Sequence, residues 1–281
     1  MVNPYSRKQL KVGLTESSVD GFVFWTKNLS PFFPVLSEIR TRGFPFVVQY
    51  SITSYPRTFE SSVVDANRSV ENMKRLAEEF GRRVGVWRYD TIVFASNLSA
   101  DFHRRNFERL ASALEGVTDE VVISFAQIYR KTRRNMDIAA EKHDFQWFDP
   151  SDEVKCALAT ELAQIAKARG MQLSICSQKS YLDETIAEAR CIDTRRLSEI
   201  ASRPIRAPQK GNRPECGCHY SRDIGDYDTC PHGCVYCYAV RDKSLAQRRY
   251  REHDPEGEFL FPPGENLSPS KISGVQLPLL P

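Results

Sequence analysis

Short apolar runs of strand length recur along the chain, separated by longer stretches in which apolar positions return every three or four residues. Five runs read as strands: Phe22–Thr26, Phe46–Thr53, Val84–Asp90, Val121–Tyr129 and Gln172–Cys176. Each is rich in β-branched and aromatic residues and apolar on both faces for part of its length, as suits a strand covered by helices. Three stretches read as amphipathic helices. Ser62–Phe80 sets Val63, Val70, Met73, Leu76 and Phe80 on one stripe and ends at Gly81, a residue suited to closing a helix. Ala100–Leu114 carries Phe102, Phe107, Leu110 and Leu114 and ends near Gly116. Ser151–Arg169 opens on a serine cap with Asp152 and Glu153 in its first turn and ends at Gly170. This alternation predicts an α/β fold with right-handed βαβ units and a parallel sheet. A barrel-like arc and an open doubly wound sheet both fit it.

From about Ile205 the pattern changes. Pro204, Pro208, Gly211 and Pro214 interrupt regular structure, and a cysteine-rich segment follows. A short basic helix is expected after Ala239, through about Tyr250. The last stretch, Asp254–Pro281, holds six of the sixteen prolines and reads as an extended tail. The expected division is a β/α body over 1–204, a cysteine segment over 205–250 and a proline-rich tail over 251–281. No internal repeat is present.

Five of the eight cysteines lie between Cys216 and Cys237. Cys216 and Cys218 form a C-x-C pair; Cys230, Cys234 and Cys237 form C-x₃-C-x₂-C. The N-terminal residues carry no apolar leader-like run, and no apolar stretch approaches membrane length, so a cytoplasmic setting is expected. There, clustered thiols serve as metal ligands rather than as disulfides. Three arrangements suit the spacing. A structural zinc would take Cys234 and Cys237 as one knuckle and Cys216 and Cys218 as part of another. An iron–sulfur cluster could be ligated by four cysteines and serve only structure. A [4Fe–4S] cluster held by Cys230, Cys234 and Cys237 alone would leave one iron open for chemistry. Whether Cys216 and Cys218 share the metal of the triad separates these arrangements.

The net charge of +3 gives no global pull toward nucleic acid or membrane. Basic runs at Arg130–Arg134, Arg203–Arg213 and Arg248–Arg251 read as solvated faces, so a nucleic-acid partner is not favoured. Ligands of α/β sheets sit at the carboxyl ends of strands. Those ends carry Lys27 and Asn28, then Thr53, then Arg88 and Asp90, then Gln127 and Tyr129, then Cys176. Lys27 and Arg88 suit a carboxylate or phosphate, and Asp90 suits a ribose hydroxyl or Arg88 itself. Cys176 would be a further ligand, a hydrogen-atom donor or a packed thiol. Cys191 falls under the same alternatives, and His103 and His143 stand isolated. There is no Gly-rich phosphate loop, Ser/His/Asp order or H-E-x-x-H pattern.

Larger blocks carry a resemblance. Phe24-Trp25-Thr26-Lys27-Asn28, Trp87-Arg88-Tyr89-Asp90, Cys191-Ile192-Asp193, Arg213-Pro214-Glu215-Cys216-Gly217-Cys218 and Tyr227-Asp228-Thr229-Cys230-Pro231-His232-Gly233-Cys234-Val235-Tyr236-Cys237-Tyr238-Ala239 resemble the bacterial family called domain of unknown function 1848. The resemblance spans about residues 5 to 260. No activity comes with it. Its cysteine block is similar to that of radical S-adenosylmethionine proteins, spore photoproduct lyase among them. That likeness implies a partial TIM-like barrel, a [4Fe–4S] cluster and bound S-adenosylmethionine. It also implies an electron donor such as a flavodoxin or ferredoxin. Tyr236 would pack against adenine, with Tyr238, Asn28 and Thr53 as further cofactor contacts. Lys27, Arg88, Asp90 and Cys176 are the catalytic candidates against an unspecified substrate. The family's usual first strand is expected to be missing here. In radical S-adenosylmethionine proteins the motif follows the first strand; here it follows the last, as in a permuted core, which requires the cysteines to lie at the strands' carboxyl ends. The rival reading is a zinc or fully ligated cluster that staples the segment over a binding module or hydrolase.

Overall fold

A computed structural model describes residues 11–211 and 213–260. Six strands form one parallel sheet: β1 (Phe22–Thr26), β2 (Phe46–Ser51), β3 (Gly85–Ile92), β5 (Glu120–Phe125), β7 (Gln172–Ile175) and β8 (Ala187–Glu188). They lie side by side in chain order, and every pairing is parallel. This order never reverses, so the sheet lacks the switch point of a doubly wound fold. Two short strands, β4 (Phe94–Ala95) and β6 (Trp147–Phe148), pair antiparallel as a separate ribbon. Among the described residues β1 and β8 do not pair with each other, so the sheet is open.

Strand alternation sends side chains to two different layers. On one face Val48, Trp87, Tyr89, Val121, Ile123 and Leu173 form the main core with the helices α2 (Ala66–Phe80), α3 (Ala100–Ala113) and α5 (Asp152–Ala168). On the other face Val47, Val86, Val122 and Ala189 make a smaller cluster closed by Leu197, on α6 (Thr194–Ala201), and by Ile205. Local chemistry sets the ends of these elements. The carboxylate of Asp65 accepts from the amide of Asn67 at the start of α2, and Gly81 ends that helix with φ of 99°. Ser99 caps α3 through Phe102 N. Asp242 caps α7 (Lys243–Glu252) through two amides, and that helix is the short basic one expected.

Several expectations need correction. The strand expected over 46–53 ends at Ser51, and the one over 121–129 ends at Phe125, before α4 (Arg130–His143) begins. Their apolar patterns run on past the ladder because Ile52 and the following residues are buried by loops rather than by neighbouring strands. The helix α1 (Phe33–Thr41) was not legible: two prolines, Pro31 and Pro34, bracket its start. In α4 the run Arg130–Arg134 is a helix face, and only Thr132, Met136 and Ala139 turn inward. The sixth strand, β8, is two residues long, too short for any periodicity to reveal. The body does hold residues through Ala201, and the proline-rich tail beyond residue 260 lies outside the described residues. Among the described residues no helix is long and apolar enough to cross a membrane.

His103 is fully buried on α3. Its Nε2 faces the carbonyl of Val93 at 3.0 Å and must carry the proton, so Nδ1 accepts from the Tyr89 hydroxyl at 2.9 Å. Burial pulls its pKa from 6.5 down to about 4. The unfolded chain binds a proton below about pH 6.5 that the fold refuses until about pH 4, so stability falls as pH drops through that window. The expected loss by pH 4.5 is about 2–3 kcal/mol. Urea melts of the wild type and His103→Gln across pH 4.5–7 check it: the variant should show the flatter profile, and parallel profiles would remove His103 as the cause.

Candidate functional site

The inner face of the sheet is apolar toward the strands' amino ends and polar toward their carboxyl ends. On the same parity as Val47, Val86 and Val122 stand Gln49, Arg88, Asp90, Ser124, Ser174 and Cys176. Arg88, 5% exposed, organises this layer. Its Nε donates to Asp90 Oδ2 at 2.9 Å, and its Nη2 donates to the same oxygen. Its Nη1 reaches Gln49 Oε1 at 3.2 Å and Cys191 Sγ at 3.0 Å. Asp90 also accepts from the Ser124 hydroxyl. Burial alone would raise the Asp90 carboxyl, but the Arg88 charge and the Ser124 bond outweigh it and hold the group below its usual range. Both side chains are saturated by internal partners. Arg88 is therefore not a free clamp for an anion, and Asp90 answers Arg88 rather than a ribose.

A second buried charge layer stands at the ends of β1 and β2. Glu60, 2% exposed, receives Lys27 Nζ at 2.9 Å, the Thr53 hydroxyl at 2.6 Å and the Tyr236 hydroxyl on one oxygen. Lys27 also donates to Thr53 at 3.1 Å. Burial pulls the Lys27 ammonium down, yet the Glu60 carboxylate and the nearby Cys234 more than restore it, so it stays protonated and raised above its ordinary value. Glu60 was missed in the sequence because Arg57-Thr58-Phe59-Glu60 has no periodicity and no motif. Tyr236 is 8% exposed, with its ring edge-on to Tyr55, and belongs to the core rather than to an open ligand surface. Thr53 is equally enclosed. Asn28 turns back on its own loop, its Oδ1 accepting from Ser30 N.

This layer seats the cysteine loop. Cys234 bridges Glu60 in antiparallel register, Val235 N donates to Phe59 O at 3.0 Å, and Ser62 N donates to His232 O at 3.0 Å. The triad therefore lies against the segment that follows β2, at the carboxyl end of the sheet, where a permuted core needs it. Cys230 is exposed; Cys234 and Cys237 are half-buried. Cys230, Cys234 and Cys237 lie within electrostatic reach of one another, and burial pushes the Cys234 thiol up to about 12 against the pull of Lys27. Tyr238 is 40% exposed beside Tyr129, with the Arg213 guanidinium 4.9 Å from its ring centre.

Cys216 and Cys218 do not join that triad. Cys218 hydrogen-bonds Cys191 and Cys216, and Cys191 Sγ is 3.7 Å from Cys176 Sγ. Seven of the eight cysteines thus fall into a set of three on one loop and a chain of four thiols from β7, the β8 loop and the C-x-C pair. The four are linked pairwise, and among the described residues no three His, Cys, Asp or Glu side chains already converge as a ligand set for one ion. Cys156, on α5, packs against the main core.

The profile of a family described as Domain of unknown function (DUF1848) matches residues 1–239. The chain belongs to that family. No curated protein matches this DUF1848 member. Among solved structures it is similar to a D-hydantoinase at 12% identity and a TM-score of 0.30, covering 56% of this chain and 33% of that one. It is also similar to the D-hydantoinase of a Bacillus sp. AR9 at 12% identity and a TM-score of 0.32, covering 66% of this chain and 37% of that one. The DUF1848 member spans about a third of either enzyme's length, and likenesses this slight carry no argument about activity.

Glu60→Ala should strand a buried ammonium and cost about 3–5 kcal/mol in urea unfolding. The Lys27→Met/Glu60→Leu pair should recover most of that loss. In Glu60→Ala the alkylation rates of Cys230, Cys234 and Cys237 should rise while that of Cys191 stays slow. A single variant within about 0.5 kcal/mol of wild type would show that the pair does not hold the loop.

Proposed function

We propose that this protein is an iron–sulfur protein of the radical S-adenosylmethionine type, with Cys230, Cys234 and Cys237 as the ligands of a [4Fe–4S] cluster. The observation that carries the proposal is the separation of the thiols: Cys218 is engaged with Cys191, so the C-x₃-C-x₂-C loop is left as a set of three. Three thiols suit a cluster with one unligated iron, which can bind S-adenosylmethionine and, after one-electron reduction, supply a carbon radical for hydrogen abstraction. The donor set fits in kind: three soft thiols on one loop, with the Lys27 cation within reach of Cys234 to offset thiolate charge.

The chain's own contribution is positioning. The Lys27–Glu60–Tyr236 layer fixes the loop at the sheet's carboxyl ends, and Tyr236 closes off its underside from water. Tyr238, Tyr129 and Arg213 stand around the outer side, where a stacked or anionic ligand would be met. In this reading the sequentially ordered sheet is the arc of a partial TIM-like barrel. The setting is the cytoplasm, and the reductant is a flavodoxin or ferredoxin. A hydrolytic site at Lys27, Arg88 and Asp90 is less well supported, because those groups satisfy one another. A triad fully ligated by Cys216 or Cys218 is disfavoured by the engagement of Cys218 elsewhere.

Purification without oxygen should give about four irons per chain with matching sulfide on the triad. The electron paramagnetic spectrum of the reduced protein should change on adding S-adenosylmethionine. Replacing any of Cys230, Cys234 or Cys237 by Ser should remove the signal, and Cys216→Ser should keep it. Protein with no acid-labile sulfide after anaerobic reconstitution would end the proposal.

A further inference from the structure

We infer that Cys176, Cys191, Cys216 and Cys218 form a second, separate metal site, a tetrathiolate that takes a single zinc ion. The inference uses none of the triad's residues and does not rest on the function proposed for them.

The first support is distance. In tetrahedral zinc–thiolate sites the Zn–S bond of about 2.3 Å places the sulfurs about 3.8 Å apart. Cys176 Sγ and Cys191 Sγ are 3.7 Å apart, one edge of such a tetrahedron. Cys218 contacts Cys191 and in turn Cys216, so all four thiols lie within one connected group. That spacing suits a mononuclear ion rather than a multi-iron cluster, whose ligands attach to different metals.

The second support is that backbone bonds, not the thiols, bring these segments together. Cys176 N donates to Ile123 O at 3.0 Å, continuing the sheet past β7. The carbonyl of Cys191 accepts from the buried Gln49 side chain at 3.0 Å. His219 N donates to Ile192 O at 3.0 Å, and Lys210 N donates to Cys218 O at 3.0 Å, which hold Cys218 between two strands of chain. Gly217 makes the knuckle fit: a Cβ there would meet the Glu188 carboxyl carbon at 2.9 Å. A C-x-C pair is thereby pressed onto the β8 edge, with its thiols toward Cys191.

The third support is charge. Zinc with four thiolates carries a net charge of −2, which needs cations in a partly buried place. Arg88 Nη1 lies 3.0 Å from Cys191 Sγ, and Arg213 is within electrostatic reach of Cys176. A cation aimed at a thiol is otherwise poorly explained; beside a dianionic centre it is the expected second partner. Cys191 and Cys218 are 7% and 5% exposed, so the ion would be shielded from chelators. Its role would be to staple residues 205–220 across the inner face, beneath the mouth that the triad occupies.

The test uses the full chain produced with added zinc, dialysed against a chelator and measured for metal content. The wild type and a Cys230→Ser/Cys234→Ser/Cys237→Ser triple variant should each retain about one zinc per chain, and Cys191→Ser and Cys218→Ser should drop to about a fifth or less. Because a cysteine variant can misfold, cobalt replacement in the wild type and the triple variant gives a second readout: the absorption of a four-sulfur tetrahedral site is expected in both. Zinc lost from the triple variant but kept in Cys191→Ser would overturn the inference. So would a cobalt spectrum of fewer than four sulfurs in the triple variant, or wild type that holds no zinc. The triple variant lacks the ligands of the proposed cluster, so this result and the fate of the radical-type reading are independent.

Discussion

The buried ion pair between Lys27 and Glu60 is the constraint on which the arrangement at the sheet's mouth depends. Glu60 is 2% exposed and cannot stand there unpaired. Three donors from three segments satisfy it: Lys27 after β1, Thr53 after β2 and Tyr236 from the cysteine loop. One carboxylate therefore ties the first strand, the second strand and a segment more than 170 residues away in sequence. Such a pair adds little net stability over apolar packing, but breaking it is costly, which makes it a device for register rather than for strength. The backbone pairing of Glu60 with Cys234 places the thiols in the same stroke.

The sheet supplies the platform. Because its strands lie in chain order and run parallel, all their carboxyl ends open on one side. Alternation then divides each strand between a thick helical core and a thinner inner face. The inner face is closed by α6 near its amino end and left polar toward its carboxyl end. Arg88 crosses this polar layer and binds Gln49, Asp90 and Cys191, linking β2, β3 and the loop after β8. Two internally neutral layers, one around Arg88 and one around Glu60, thus underlie a surface made of thiols, Tyr129, Tyr238 and Arg213.

Much of this was legible in the order of residues, and the exceptions share a cause. The five longer strands, the helices α2, α3, α5 and α7, and membership of the DUF1848 family follow from local periodicity, caps and contiguous blocks. The nominated Lys27, Arg88, Asp90 and Cys176 do lie at one mouth, because strand-end position is itself a local property. Their partners were not legible. Glu60 and Cys191 sit in loops without periodicity, and only the approach of distant segments gives each its role. Arg88 was nominated as an anion clamp and is instead saturated, since neither Gln49 nor Cys191 is near it in sequence.

The sequence alone determined the alternation of strands and helices, the C-x₃-C-x₂-C spacing and the break in character near Ile205, all consequences of residue type over short distances. Tertiary structure decided the sequential strand order, the two-residue sixth strand and the sorting of seven cysteines into a set of three and a chain of four. Spacing along a chain limits which thiols can share a loop. It cannot say which loops will meet, because that is set by the burial of Glu60 and Arg88 among partners drawn from across the fold.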